Sequence, residues 1–201
     1  MRIGIMGGTF DPIHIAHLIL GESAWYMFSL DKVLYMPAGN PPHKRHREGR
    51  ASDGERTEMV RLAIEGNPHF ELSLREMNAD GYTYTYRTLE GMLAEHPEDE
   101  IFFIIGADSL FDFDTWMKPE RISAACTLVV ATRGHIEDER LEAKMQEIRD
   151  KYHARIEKLD TENMDVSSSE IREWVRSGHP VRYYLRSSVE HYIRENGIYL
   201  N

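Results

Sequence analysis

Two adjacent glycines, Gly7 and Gly8, constrain the fold of this chain more than any other feature of its sequence. They end the segment from Arg2 to Met6, which alternates small and branched apolar residues as a short buried strand does. From Ile13 onward the pattern becomes helical, and one face carries Ala16, Leu20, Ala24 and Phe28. The sequence therefore predicts a strand, a glycine turn and a helix at the start of the chain.

This arrangement predicts a binding site for an anion such as a phosphate. The backbone N–H groups of the turn and of the first helical turn point beyond the carboxyl end of the strand, where the helix dipole adds partial positive charge. His14 and His17 are three residues apart, so within the first helical turn their rings share a face and reach one anion. The glycines and histidines alone are equally compatible with a well-capped helix whose histidines face water.

Length and charge limit the class of protein. A chain of 201 residues with 41% hydrophobic residues can bury one sizeable core, and we predict a single domain over residues 1–201 with a helical C-terminal part from about residue 165. A formal net charge of -10 argues against nucleic-acid and membrane partners. The longest apolar run is too short to span a bilayer and no secretory leader is visible, so a soluble cytoplasmic protein is expected. The single cysteine, Cys126, excludes an internal disulfide and is expected in the core.

Strands and helices are predicted to alternate along the remaining chain. Strands are expected at residues 32–36, 70–74, 101–106, 126–131 and 156–159. Ser52 and Glu55 form a capping box that opens a helix, and residues 138–153 form a charged outer helix. This alternation predicts a Rossmann-like three-layer α/β/α sandwich with a mainly parallel central sheet and a C-terminal helical segment. Its site would lie at the carboxyl ends of the strands.

A second informative stretch lies near the C-terminus. Ser167 and Glu170 have the spacing of a capping box, which by itself explains serines at a helix start. Arg172 is expected in the first turn of this helix, where a cation opposes the helix dipole. An anion held between Arg172 and the serine hydroxyls would resolve this conflict.

Residues 7–17, GGTFDPIHIAH, resemble the signature of the nucleotidyltransferase superfamily, in which a similar turn leads into a His-x-Gly-His motif. Ala16 replaces the usual glycine and adds one methyl group close to the nucleotide. The motif is also similar to the His-Ile-Gly-His of class I aminoacyl-tRNA synthetases, but a chain of 201 residues lacks room for a tRNA-reading body.

Further segments resemble the bacterial nicotinate-nucleotide adenylyltransferases. They are Pro41-Pro42-His43-Lys44, the Tyr-Thr and Thr-Leu pairs at 84–85 and 88–89, Ile-Gly-Ala-Asp-Ser at 105–109, and residues 166–172. Arg87 stands where the family has aspartate, and Arg186 where it has proline. The resemblance spans nearly the whole chain.

The resemblance implies roles for single residues. Lys44 is expected to reach the reacting phosphates, Thr85 to contact the nicotinate end of the substrate, and Trp116 to stack on its pyridine ring. Asp108 would serve the ATP ribose or its metal, although an aspartate there could also cap the next helix. The residues assigned to ATP are Gly7, Gly8, Thr9, Phe10, His14, His17, Gly106, Asp108, Ser167, Ser168, Ser169 and Arg172. Those assigned to the acceptor substrate are Gly8, Thr9, Asn40, His43, Lys44, Thr85, Trp116 and Arg133.

The implied reaction is adenylyl transfer from ATP to nicotinate mononucleotide, with release of pyrophosphate. The attacking phosphate is largely ionised at neutral pH, since its second pKa is about 6, and no general base is required. His14 and His17 would hydrogen-bond the ATP phosphates, while Lys44 and Arg172 would neutralise charge on the leaving pyrophosphate. Mg²⁺ would arrive with ATP, and no protein residue is assigned as a metal ligand.

Alternative functions remain at this point. The same chemistry could act on nicotinamide mononucleotide or phosphopantetheine, although Thr85 and Trp116 favour a pyridine nucleotide. A catalytically silent nucleotide-binding domain is a rival from another class, and a hydrolase or a zinc protein is weaker because no third ligand is evident. The sequence does not decide between the acid and the amide, and a homo-oligomer is compatible with it.

Overall fold

A computed structural model describes residues 1–39, 49–77, 83–131, 138–161 and 164–200, and a parallel sheet forms the centre of this part of the chain. Its strands are β1 (Arg2–Gly8), β2 (Lys32–Pro37), β3 (Phe70–Leu72), β4 (Glu100–Gly106), β5 (Thr127–Ala131) and β6 (Arg155–Leu159). The spatial order is β3-β2-β1-β4-β5-β6, and every pairing is parallel. The order reverses between β1 and β4, which creates a crevice at the carboxyl ends of these two strands.

Helices cover both faces of the sheet. They are α1 (Ile15–Met27), α2 (Asp53–Ile64), α3 (Thr85–Glu95), α4 (Ala107–Phe111), α5 (Pro119–Ala125), α6 (Asp138–Tyr152), α7 (Ser168–Ser177) and α8 (Ser187–Glu195). A short 3-10 turn, Phe113–Thr115, lies between α4 and α5.

The core consists of two apolar clusters, one on each face of the sheet. The first joins the sheet to α1, α2, α7 and α8, and the second joins it to α3, α4, α5 and α6. Strand β4 contributes to both clusters because its side chains alternate between the two faces of the sheet. Phe102 and Ile104 belong to the first cluster, whereas Ile101, Phe103 and Ile105 belong to the second. The predicted three-layer sandwich is confirmed.

Several local predictions are confirmed and two change in length. Ser52 caps α2 as expected, since Glu55 N donates to Ser52 Oγ at 3.3 Å and Ser52 N donates to Glu55 Oε2 at 2.6 Å. Cys126 is buried. Strand β1 extends to Gly8 because its two glycines pair with the end of β2. Strand β3 ends at Leu72, two residues before the predicted Leu74.

The predicted position of Arg172 is wrong. Helix α7 begins at Ser168, so Arg172 is its fifth residue and lies in the second turn, where the dipole at the helix start acts on it less. The expected box at Ser167 forms in part: Glu170 N donates to Ser167 Oγ at 3.2 Å, and Ser167 Oγ donates to Glu170 Oε2 at 2.7 Å. Glu170 therefore holds the serine hydroxyl.

Among the described residues, no helix combines the length and the apolar character that crossing a lipid bilayer requires.

Candidate active site

The turn after β1 lies at the point where the strand order reverses. Phe10, within this turn, has a positive φ of 49° and is buried, and its ring meets His17 edge-on with centroids 5.1 Å apart. Gly106 ends β4, the neighbouring strand, and is the N-cap of α4. The turn and α4 therefore face the same crevice at the carboxyl edge of the sheet.

His14 and His17 lie together at the start of α1. His14 is the N-cap residue and is buried, while His17 occupies the third helical position and is half-buried. Their ring centroids are 3.8 Å apart, which is the proximity that their spacing predicts. The main-chain N–H of His14 donates to Nδ1 of His17 at 3.2 Å. Because Nδ1 accepts this bond, a neutral His17 ring carries its proton on Nε2 and can donate it to a ligand.

Helix α7 is attached directly to this turn. The Nη1 group of Arg172 donates to the carbonyl oxygen of Asp11 at 2.6 Å, and its Nη2 group donates to Ser169 Oγ at 3.2 Å. Ser168 Oγ donates to the carbonyl oxygen of Pro12 at 2.9 Å. These bonds bring Arg172 and the serines beside the turn that bears the histidines, although the Ser168 hydroxyl proton is already used on the main chain.

Arg56, which the sequence analysis did not single out, holds the two strand ends that form the crevice. Its side chain is buried and donates to the carbonyl oxygen of Thr9 at 2.6 Å and to that of Ala38 at 2.8 Å. It also pairs with Asp53 at 2.7 Å. A signal exists in the sequence, since position 56 shares the inward face of α2 with Met59 and Ala63, where a charged residue is unusual.

Asp11 is a second buried charged residue that the sequence analysis missed, and it has a relative exposure of 2%. Its Oδ1 accepts hydrogen bonds from Ala51 N at 3.1 Å and from the Tyr199 hydroxyl at 2.7 Å. The partners come from distant parts of the chain, so no spacing in the sequence indicates them.

A cavity of about 550 Å³ opens on the other side of the turn. Its wall includes Gly8, Thr9, Glu76, Thr85, Thr88 and Trp116. Trp116 is held by two rings of the second cluster, with its centroid 6.1 Å from that of Phe103 and 5.6 Å from that of Phe113. Four of the residues assigned to the acceptor substrate therefore line one cavity, which has a flat aromatic side chain in its wall.

The charges around the cavity suit a ligand with both signs. Helix α3 begins at Thr85 without an acidic residue in its first turn, so the positive end of its dipole meets the cavity. Glu76 accepts a hydrogen bond from Thr88 Oγ1 at 2.8 Å, and burial raises the pKa of its carboxyl group. No sequence motif had indicated Glu76 as part of the site.

The residues at the three departures from the family pattern do not themselves line the cavity. Arg87 is exposed, and its Nε donates to the Tyr86 hydroxyl at 3.0 Å while its guanidinium lies 5.5 Å from the Tyr84 ring centroid. Ala16 is buried within α1, and Arg186 is the N-cap of α8. The reversed charge at position 87 is therefore held against Tyr84, which lines the cavity, and against the buried Tyr86, while Arg87 itself does not line the cavity.

Some of the residues assigned to ATP or to the acceptor substrate lie away from the cavity or outside the described residues. Asp108 is exposed at the second position of α4, so it is not the N-cap, and it does not line the cavity. Asn40, His43, Lys44 and Arg133 lie outside the described residues. In the described part of the chain, no three His, Cys, Asp or Glu side chains are grouped as a metal site requires.

Comparisons with known proteins give a consistent family and fold. Residues 5–174 match the model of the cytidylyltransferase-like family. A protein of Lachnoclostridium phytofermentans, described as a probable nicotinate-nucleotide adenylyltransferase, is 40% identical over 99% of both chains. One of Thermoanaerobacter, with the same description, is 41% identical over 99% of this chain and 94% of its own.

Known structures agree at the level of the fold. Nicotinic acid mononucleotide adenylyltransferase of Plasmodium falciparum complexed with NaAD has a TM-score of 0.79, with 20% identity over 98% of this chain and 97% of the other. Its complex with APC has a TM-score of 0.77, with 20% identity over 98% and 96% of the two chains.

Proposed function

The chain belongs to the nicotinate-nucleotide adenylyltransferase family of cytidylyltransferase-like proteins, and from this premise we propose how its residues perform the reaction. The enzyme transfers the adenylyl group of ATP to nicotinate mononucleotide, which gives nicotinate adenine dinucleotide and pyrophosphate in NAD biosynthesis. The assignment of ATP and nicotinate mononucleotide to the two halves of the crevice is our proposal.

ATP binds on the side of the crevice formed by α1 and α7. His17 donates its Nε2 proton to a phosphate oxygen, a role supported by the bond that occupies its Nδ1. Arg172 has five N–H donors, of which one is directed to Asp11 and one to Ser169, so others can reach the phosphates. His14 completes this group, and Gly106 and Asp108 at the neighbouring strand contact the ribose end of ATP.

Nicotinate mononucleotide binds in the cavity of about 550 Å³. Trp116 stacks on the pyridinium ring, which is favourable because an indole face attracts a cation. The carboxylate of the ring faces the start of α3 at Thr85, where the helix dipole favours negative charge. The phosphate then lies toward Gly8 and Thr9, next to the α-phosphate of ATP.

Catalysis in this arrangement is positioning and charge neutralisation. The acceptor phosphate attacks in line with the bond to pyrophosphate, and the two anions are held together against their repulsion. His14, His17 and Arg172 stabilise the charge that develops on the leaving group. Lys44 shares this role in our proposal on the basis of the family resemblance, since it lies outside the described residues.

Mg²⁺ fits the site as a companion of ATP. Because no three potential ligands are grouped among the described residues, phosphate oxygens and water would provide most of its ligands. When bound, the ion neutralises phosphate charge. The cytoplasmic location and the single domain stay predictions, and a homo-oligomer stays compatible with the sequence.

The observation that carries the proposal is the cavity that joins Gly8, Thr9, Thr85 and Trp116 beside the two histidines. The test measures pyrophosphate release from Mg-ATP with nicotinate mononucleotide and, in parallel, with nicotinamide mononucleotide. We expect strong preference for the acid. Equal use of both would retain the chemistry and reject the assignment of the α3 start to a carboxylate. If neither mononucleotide supports pyrophosphate release, phosphopantetheine is tested next as the acceptor. If that is also inactive, the result favours a non-catalytic nucleotide-binding protein.

A further inference from the structure

Asp11 connects four segments of the chain beneath the proposed phosphate site. Its Oδ1 accepts hydrogen bonds from Ala51 N and from the hydroxyl of Tyr199. Its Oδ2 is buried and has no hydrogen-bond partner among the described residues, but it lies 3.8 Å from Nε of Arg50 and 3.8 Å from Nη1 of Arg172. The carboxylate is thus shared between two neutral donors on one oxygen and two guanidinium groups on the other.

Tyr199 is the most distant of these partners in sequence. It follows α8, has a positive φ of 69° and is 5% exposed. Burial, and then the Asp11 carboxylate, raise the pKa of its hydroxyl far above its usual value. The hydroxyl therefore stays protonated and donates to Asp11, and it also lies 3.9 Å from the sulfur of Met59.

Arg172 meets Asp11 at two points. Its Nη1 donates to the main-chain oxygen of Asp11 at 2.6 Å and lies near Oδ2 of the same residue. The two hydrogen bonds to Oδ1 reduce the attraction of the Asp11 carboxylate for the Arg172 guanidinium. If the Tyr199 hydroxyl is removed, the buried carboxylate loses a donor and can regain one only by turning toward an arginine.

We propose that Tyr199 is a positioning residue for Arg172, acting through the Asp11 carboxylate, so that its hydroxyl leaves the guanidinium directed toward the phosphates of ATP. This inference rests on the proposed function for the role of Arg172. It assigns to Tyr199, 27 positions after Arg172, an effect on ATP binding without contact with ATP.

The first test is Tyr199→Phe, which keeps the ring and removes the hydroxyl. We expect the Kd for Mg-ATP to rise about tenfold, as for a small displacement of a binding group, while the KM for nicotinate mononucleotide stays within about twofold of wild type. Tyr192→Phe is the matched control, because Tyr192 lies in the same C-terminal region and packs against the first cluster, and it should leave both values unchanged.

The decisive test is a double-mutant cycle on the Kd for Mg-ATP, with Tyr199→Phe measured in the wild-type and Arg172→Ala backgrounds. If Tyr199 acts through Arg172, its substitution has no further effect once Arg172 is removed. An unchanged Kd in Tyr199→Phe, or an equal loss in both backgrounds, would overturn the inference. If Tyr199→Phe does not fold, Asp11→Asn is measured in its place: an amide no longer attracts the Arg172 guanidinium by its charge, so the Kd for Mg-ATP should not rise, and weaker binding of Mg-ATP would overturn the inference.

Failure of this inference is distinguishable from failure of the proposed function. An inactive wild-type enzyme with both substrates rejects the function. A wild-type enzyme that releases pyrophosphate, with an unchanged Tyr199→Phe variant, rejects only the role of Tyr199.

Discussion

A single main-chain hydrogen bond determines which nitrogen of His17 carries the proton in the neutral ring. His14 N donates to Nδ1 of His17 at 3.2 Å, so in the neutral ring Nε2 is the nitrogen that carries the proton. The sequence predicted that the two histidines would share a face, and it could not predict this bond because the bond depends on the extended backbone of His14 as the N-cap. In the proposed site, His17 can therefore donate to a phosphate without having to become an imidazolium.

This geometry predicts the result of two substitutions at His17. His17→Ala removes a donor to developing charge and lowers turnover about a hundredfold or more with the fold intact. His17→Gln places an amide N–H close to the former Nε2 and retains more activity than His17→Ala. Pyrophosphate release and thermal unfolding of both variants provide the measurement, and near-normal turnover in His17→Ala would remove this residue from the mechanism.

The raised pKa of Glu76 predicts that the stability of the fold depends on pH. Burial raises the pKa of its carboxyl above its usual value, so ionisation is less favourable in the folded than in the unfolded chain. Below the pKa that Glu76 has in the unfolded chain, its carboxyl is protonated in both states, and its burial carries no charge penalty. The free energy of unfolding falls as the pH rises through the higher pKa of the folded state. Glu76→Gln, which still accepts the Thr88 hydrogen bond, should therefore exceed wild type in stability at about pH 8, with a smaller difference at about pH 4.

A matched substitution at Glu58 should have the opposite effect on stability. The Arg61 side chain lowers the pKa of Glu58, so Glu58→Gln should be slightly less stable than wild type at the higher pH. Thermal denaturation of the three proteins at both pH values measures the difference. A Glu76→Gln variant that is destabilised equally at both values would contradict the argument.

At the scale of elements, hydrophobic pattern and capping predicted most of the fold, because strands β1, β2, β4 and β5 are largely buried apolar runs, β6 buries Ile156 and Leu159, and Ser52 is a local cap. The misplacement of Arg172 was local, because the predicted cap at Ser167 already makes Arg172 the fifth helical residue, whereas the contacts of Arg56 depend on other elements. Arg172 was placed in the first turn of α7, whereas that helix begins at Ser168 and the guanidinium bonds to Asp11 on another element. Arg56 was overlooked because its acceptors belong to the ends of β1 and β2.

The contacts of Arg56 predict the effect of a substitution that weakens the link between α2 and the ends of β1 and β2. A lysine at position 56 presents one ammonium group and cannot reproduce the forked contacts to Thr9 O and Ala38 O. Arg56→Lys should lower the free energy of unfolding by about 1–3 kcal/mol, because buried carbonyl groups lose their partners, and should raise the KM of both substrates.

Arg61→Lys on the same helix is the control for Arg56→Lys. Arg61 is exposed and pairs with Glu58 one turn away, so this variant should change the free energy of unfolding by less than about 0.5 kcal/mol. Urea denaturation of both variants gives the comparison. Equal small effects would show that Arg56 does not hold the two strand ends.

At the scale of the whole molecule, the two halves of the site belong to opposite faces of the sheet. Phe10, Ala16 and Ile171 belong to the first cluster, which supports the histidines and Arg172. Leu89 and Phe103 belong to the second, with Trp116 packed against it. The sequence predicted one site at the carboxyl edge of the sheet, but the division into halves follows from the strand order, which reverses between β1 and β4.

Separate halves predict separable binding of the two substrates. Trp116→Ala removes the stacking surface in the cavity but touches nothing on the α1 and α7 side, so the rise in Tm caused by nicotinate mononucleotide should require about tenfold more ligand while the rise caused by Mg-ATP remains. Arg172→Ala should give the reverse pattern. The loss of stacking on a cation corresponds to about a tenfold weaker affinity or more, which a ligand titration of Tm resolves. A Trp116→Ala variant that loses both responses would show that the two faces form one cooperative pocket.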